Sequence, residues 1–259
     1  RLCGPGWGET GSDSTLPRPS GCGFRHPDIA SWYHRWLLGA NHWPTPITER
    51  ARNLGVLLDA RLSLEEHMMA VARGAFYQVR LIRQLRPFLD QDFLCTVTQA
   101  LVTSRLDYCN ALYMGLPLGC TWRLQLVQNA AAQGIVGATG CSHVTPLLRE
   151  LQWLPVVFQV RFKVLVTTFK ALHGLGPGYL RDRLLLPIAS HRPVRSYREG
   201  LLRVPSARQC RLATPRGRAF SVAAPALWND LPPEIRTIPD LQTFRRALKT
   251  HLFQLAGLA

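Results

Sequence analysis

SLEEHMMAVARGAFYQVRLIRQL, Ser63 to Leu85, decides the fold class. Met68, Ala72, Ala75, Val79 and Ile82 recur at i, i+4, i+7, i+11 and i+14, the spacing that lines up apolar side chains along one stripe of an α-helix. Ser63 and Glu66 are spaced as a capping box, so the helix is expected to open there and to end before Pro87. A second stripe carries Arg73, Tyr77, Arg80 and Gln84. Cations interleaved with an aromatic suit a face that follows a phosphate backbone and stacks on bases. Taken by itself, the stripe reads more readily as a solvated helix face.

Upstream, RNLGVLLDARL (Arg52–Leu62) reads as a short strand, a turn and a second short segment. Downstream, helices are expected over about 92–113, opened by Asp90 or Asp92, and over about Cys120–Val136, where Gly134 and Gly137 weaken the end. A short helix follows Pro146, and a long one runs from Pro155 to about Leu172. In the long helix Phe158, Phe162, Leu165, Phe169 and Leu172 make the apolar stripe, with Lys163, Thr167 and Lys170 roughly opposite. HGLGPGYL then breaks the chain. Helices return at Ala224–Asn229 and from Asp240 to about Gln254, the last with Leu241, Phe244, Leu248, Leu252 and Leu255 on one side. Residues 187–219 are strongly basic, with Arg192, Arg195, Arg198, Arg203, Arg208, Arg211, Arg216 and Arg218 against Glu199 alone, and minor β-structure is expected within 195–220. Residues 1–47, rich in Gly, Pro, Ser and Trp, show neither period and read as irregular. The expected fold is mainly α: a helical bundle with a short β-hairpin near 52–62. The expected divisions are 1–47, 48–118, 119–186 and 187–259.

TSRLDYCNALYMGLP (Thr103–Pro117) places Ser104, Asp107 and Asn110 three apart on one helix face inside an apolar stretch. A buried carboxylate needs hydrogen-bond partners, so this trio reads as a structural polar lock against another element. The expected partners are Arg123, Gln125 or Asn129.

The chain has 31 Lys and Arg against 16 Asp and Glu, a formal net charge of +15, and only Lys163, Lys170 and Lys249 of the basic residues are lysines. Such an excess favours a polyanionic partner, because neutralised phosphates release their counterions. Hydrophobic content of 47% supports a packed core. Seven scattered cysteines and no N-x-S/T acceptor fit a reduced, intracellular chain, nuclear or cytoplasmic. Charges interrupt the apolar runs, so no membrane span is expected. Cys22 with His26, and Cys141 with His143, lack the further ligands that zinc requires. No P-loop, G-x-S-x-G or G-x-G-x-x-G is present.

RNLGVLLDARLSLEEH, TSRLDYCNALYMGLP, RLQLVQNAAA, HVTPLLRELQWLPVVFQVRFKVLVTTFKALHGLGPGYL, RAFSVAAPALWNDLPPEIR and FRRALKTHLF follow one another at compact spacing. This succession closely resembles the C-terminal part of the polyprotein of non-LTR retrotransposons, the LINE elements of the chicken-repeat and jockey-like group, over about residues 48–255. Gln133 stands where that family usually has a basic residue, and Gln152 where it often has His. The resemblance implies the end of a reverse-transcriptase palm, thumb-like helices and a helical extension that grips an RNA–DNA duplex by its backbone. RNA-directed DNA polymerases of that family hold Mg2+ on paired aspartates, and this sequence contains no Asp-Asp dipeptide. Asp90 and Asp92 read as helix-start residues instead. The expectation is therefore a transposable-element region without a catalytic palm, with no enzymatic activity of its own, no catalytic residue and no metal or cofactor, Mg2+ belonging only to the complete family enzyme. Its expected partners are RNA, DNA or RNA–DNA hybrid, met by Arg73, Tyr77, Arg80, Lys163, Lys170 and the Arg192–Arg218 segment; no small-molecule substrate is expected. The alternatives are a non-functional retrotransposon relic and a host protein-interaction scaffold derived from one, the second prompted by Trp32, Trp36 and Trp43.

Overall fold

The computed structural model describes residues 49–137, 143–184, 200–205 and 218–258. The chain divides into Arg1–Ile47 and Thr48–Ala259, and all described residues belong to the second unit. Within it the architecture is mainly α-helical, with one two-stranded antiparallel sheet.

The sheet is a hairpin of β1 (Arg50–Asn53) and β2 (Val56–Asp59), in a register that pairs Asn53 with Val56 and Arg50 with Asp59. Its two-residue turn, Leu54–Gly55, has positive φ at both positions (46° and 82°). That turn geometry matches the right-handed twist of paired strands. Leu54 accepts this conformation at the fully outward tip, where it is 82% exposed.

Helix α1 spans Glu65–Leu85 and buries Met68, Ala72, Ala75, Val79 and Ile82, the stripe read from the sequence. Its start differs from the expected capping box. Leu64 is the cap residue, in the left-handed region. The Ser63 N–H, which Glu66 would have accepted, is taken by Asp59 Oδ1 at 2.6 Å, and the Ser63 hydroxyl donates to the other oxygen of that carboxylate. Glu66 turns instead to Arg50, 2.8 Å away. The hairpin thus supplies both competitors, an acceptor and a cation, that dismantle the local motif.

Beyond a 3-10 turn at Arg86–Phe88, the single helix expected over about 92–113 is broken into pieces. Helix α2 (Gln91–Thr98) runs into a π turn at Gln99–Thr103, then α3 (Ser104–Asp107), then a 3-10 turn at Asn110–Tyr113. Leu94, Thr98, Val102 and Leu106 are buried at intervals of four. A regular α-helix carries such a row round by about 40° per step; the wider π turn takes up that drift and keeps the row on one side. The helix then stops because Tyr108 is extended and Cys109 has φ 53°.

Helices α4 (Leu118–Val136), α5 (Val144–Glu150), α6 (Val156–Leu172) and α7 (Gly178–Asp182) follow. The C-terminal part holds α8 (Phe220–Asn229), α9 (Pro233–Arg236) and α10 (Leu241–Leu255). Two large apolar clusters and a small third one, of Ala132, Leu147, Leu148 and Leu258, organise these elements. The first, from Val56 to Val160, gathers β2, α1, α2, α4 and the start of α6. It draws from both sides of the division expected at 118/119. The second packs the rest of α6 against α8, α9 and α10 around Phe169, Trp228 and Phe244. The Phe169 and Phe244 rings stack with centroids 4.4 Å apart.

Because α6 serves both clusters, its buried residues exceed one stripe. Val156, Val160 and Val164 are buried with Leu165 and Phe169, while Phe158, Phe162 and Leu172 of the expected stripe are only half-buried. In α10, Phe244, Leu248 and Leu252 are buried but Leu255, at the open end, is 57% exposed. The β-structure expected in 195–220 is absent from the described residues of that range. There Leu202 N–H and C=O bond the Asn229 side-chain amide at 2.9 and 2.8 Å, so one asparagine does the work of a neighbouring strand.

Candidate nucleic-acid interface

The α1 stripe opposite the core carries Arg73, Tyr77 and Arg80, all exposed, with Tyr77 at 61%. Spacing of four and three places them on one face. None of them makes an ion pair; among the described residues the one ion pair within 4 Å is Arg50–Glu66. The face therefore presents two uncompensated cations flanking an aromatic ring. Arg105 adds a third cation: its Nη1 lies beside Gly74, 3.2 Å from where a Cβ would stand. The sequence places Arg105 within a helix expected to be mostly buried; in the structure α3 turns Leu106 inward and leaves Ser104, Arg105 and Asp107 exposed.

The other expected contacts are distributed. Lys163 is exposed on α6 and close enough to Asp107 for its charge to act on that carboxyl. Lys170 lies in the last turns of α6, half-buried. Arg203 is exposed in the stretch held by Asn229. Arg218 is engaged in packing: its Nη2 donates to the Leu62 carbonyl, its Cγ lies against Gly115, and its Nε is buried with no partner. That guanidinium ties the start of α8 to the turn ahead of α1 and is not free to meet a phosphate with its full fork. Arg192, Arg195, Arg198, Arg208, Arg211 and Arg216 lie outside the described residues, as do Cys22, His26 and Cys141.

The polar trio of the Thr103–Pro117 stretch is placed differently from its expected pairing. Asn110 is buried and its Nδ2 donates to Asp107 Oδ1 at 3.3 Å. Ser104 bonds the Ala100 carbonyl one turn back. Arg123 is exposed, and Gln125 is occupied elsewhere: it accepts from Val156 N–H at 2.8 Å and donates to Gln128 and Asn129. The contact is thus local, closing the broken helix on itself. Partial desolvation raises the Asp107 carboxyl above its usual range, and the Lys163 ammonium pulls it the other way. Nearby, burial and then the Cys109 thiol push the Tyr113 phenol up to about 12. The Tyr108 hydroxyl holds the hairpin tip by donating to the Leu54 carbonyl at 2.6 Å.

Two arginines that the sequence reading did not single out bond carbonyls of α4, one of them at its end. Arg83 Nη2 donates to the Ala130 carbonyl at 3.2 Å and Arg86 Nη2 to the Val136 carbonyl at 3.3 Å. Cations at a helix C-terminus also meet the negative end of its dipole. Gly137, at φ 74°, leaves room for the Arg86 guanidinium, which lies 1.7 Å from where a Cβ would stand. Gly137 is therefore a required end signal and not a weakness. No group of three or more His, Cys, Asp or Glu among the described residues is arranged to hold a metal ion, and no described helix is long and apolar enough to cross a membrane. Comparison with protein-family models, with curated proteins and with solved structures finds no match for the chain.

Proposed function

We propose that this chain is a helical region of a LINE-type reverse transcriptase that grips the sugar–phosphate backbone of RNA, DNA or an RNA–DNA hybrid and carries out no polymerisation itself. The observation that carries the reading is the exposed face of α1, where Arg73, Tyr77 and Arg80 stand free of any carboxylate partner. The net charge of +15 supports it, and the ordered family-like motifs supply the class. Two arginines about 10 Å apart along the axis, with a ring between them, can neutralise phosphates while the ring stacks.

The test is binding of a labelled RNA–DNA hybrid across a salt series. Affinity should fall log-linearly with salt, and the charge-reversed pair Arg73→Glu with Arg80→Glu should weaken binding and lower the slope by about two. A hybrid that is not bound, or bound with no salt dependence, refutes the proposal.

A further inference from the structure

Trp122 is out of phase with the buried side of α4. Thr121, Leu124, Val127 and Gln128 are buried, yet the Trp122 indole is 57% exposed. Leu118, one turn earlier on α4, is exposed as well, so the two side chains form a contiguous apolar patch of the kind that marks a binding surface. It stands at the rim of a groove of about 460 Å³ between α4, α5 and the start of α6, floored by Leu148, Pro155 and Phe158. That volume is within the roughly 300–1,000 Å³ of small-molecule sites. The groove continues into a smaller recess of about 150 Å³, which shares Leu118, Thr121 and Val157 with it and is lined in addition by Arg161.

The Arg161 guanidinium is held over the Phe158 ring at 5.3 Å, which fixes its position while leaving its fork of donors in hand. No carboxylate lines either part of the groove, and Arg161 makes no ion pair. The pattern is a stacking surface at one end and a pre-oriented cation at the other, joined by an apolar floor. Flat rings with an anion attached match it; a duplex, whose bases are stacked internally, cannot enter it.

We propose that this groove holds an unpaired segment of a single-stranded polynucleotide, with one base stacked on Trp122 and an adjoining phosphate at Arg161. The inference rests on the nucleic-acid reading above and adds a second, single-strand site to the α1 face. In that arrangement α1 follows a paired region while α4 and α6 receive a strand that has left it.

The experiment compares the full chain with its Trp122→Ala, Trp122→Phe and Arg161→Ala variants by fluorescence anisotropy. The probes are a labelled oligothymidylate and a labelled RNA–DNA hybrid duplex. Trp122→Ala should weaken oligothymidylate binding about 5- to 150-fold, the range for loss of one base–aromatic stack, with hybrid binding changed less than about twofold. Trp122→Phe, which keeps a ring, should recover most of the loss. Arg161→Ala should lower the salt slope for the single strand by about one. Trp122→Ala protein that binds both probes as wild type does overturns the groove alone. An equal loss with both probes also overturns it. Wild-type protein that binds neither probe removes the nucleic-acid reading, and this inference with it.

Discussion

His67 shows how much one side chain can hold. It is buried in the first turn of α1, and its Nδ1 accepts the Leu57 N–H at 3.4 Å, joining hairpin to helix. The ring proton is then assigned to Nε2, which is buried without a partner; the Tyr113 ring lies near, its centroid 6.2 Å from that of the imidazole. Protonating Nδ1 would set a donor against a donor. Burial, and then the Arg52 charge, accordingly hold the imidazole below its ordinary range. The unfolded chain takes up this proton first, near pH 6.5. Stability should therefore fall as pH drops through about 6.5 and level off only below the folded value. Urea midpoints at about pH 7.5 and about pH 5 should differ more for wild type than for His67→Gln, and equal differences would refute the assignment. Nothing in the sequence marks His67 as buried: it sits beside Glu65 and Glu66, and its neighbours Leu57 and Tyr113 come from other elements of the chain.

At the scale of elements, local signals placed helices well and their ends unevenly. Asp240 accepts the Thr243 N–H at 2.7 Å and opens α10 where the sequence expects it. Pro155 likewise opens α6. The capping box at Ser63 was legible as a motif but lost to Asp59 and Arg50, residues whose proximity depends on the hairpin. The break after α3 had no signal, since Cys109 is an L-residue in a conformation that usually calls for glycine or asparagine. The two glycines of α4 invite a contrast. At Gly134, which is helical, an added Cβ would meet Arg83 Cγ at an ordinary 3.5 Å, so Gly134→Ala should stabilise by up to about 1 kcal/mol. At Gly137 the positive φ costs about 1–2 kcal/mol for a side chain, and Arg86 would have to leave the Val136 carbonyl as well. Gly137→Ala should therefore destabilise by about 2 kcal/mol or more. Chemical denaturation of the two variants gives opposite shifts if these ends are understood correctly.

For the molecule as a whole, α6 is the shared member of two apolar clusters, so the described unit is expected to unfold in one step. Phe169, fully buried between Phe244 and His173, is the natural probe. Phe169→Ala should cost about 3–5 kcal/mol and lower a single transition that coincides by circular dichroism and tryptophan fluorescence. Separate transitions would mean that the clusters are independent. The composition announced a basic chain, and helical periodicity gave the mainly α fold and the stripe on α1. The groove at Trp122 was not legible, because it is made by α4, α5 and α6 together and none of them declares it alone. Its one sequence trace is a tryptophan off the buried phase of its helix, and that phase is known only once the partners are.

The π turn at Gln99–Thr103 has a bearing on how this protein can vary in length. Helices ordinarily forbid insertions and deletions, since one residue more or fewer rotates everything beyond it by about 100°. Here one surplus residue is already absorbed in a wide loop of backbone, with Thr98 held inward on one side and Leu106 on the other. A relative shorter by one position in that loop could close it to an ordinary turn and still seat both residues, so alignments of such chains should expect a gap in the middle of this helix and not at its ends.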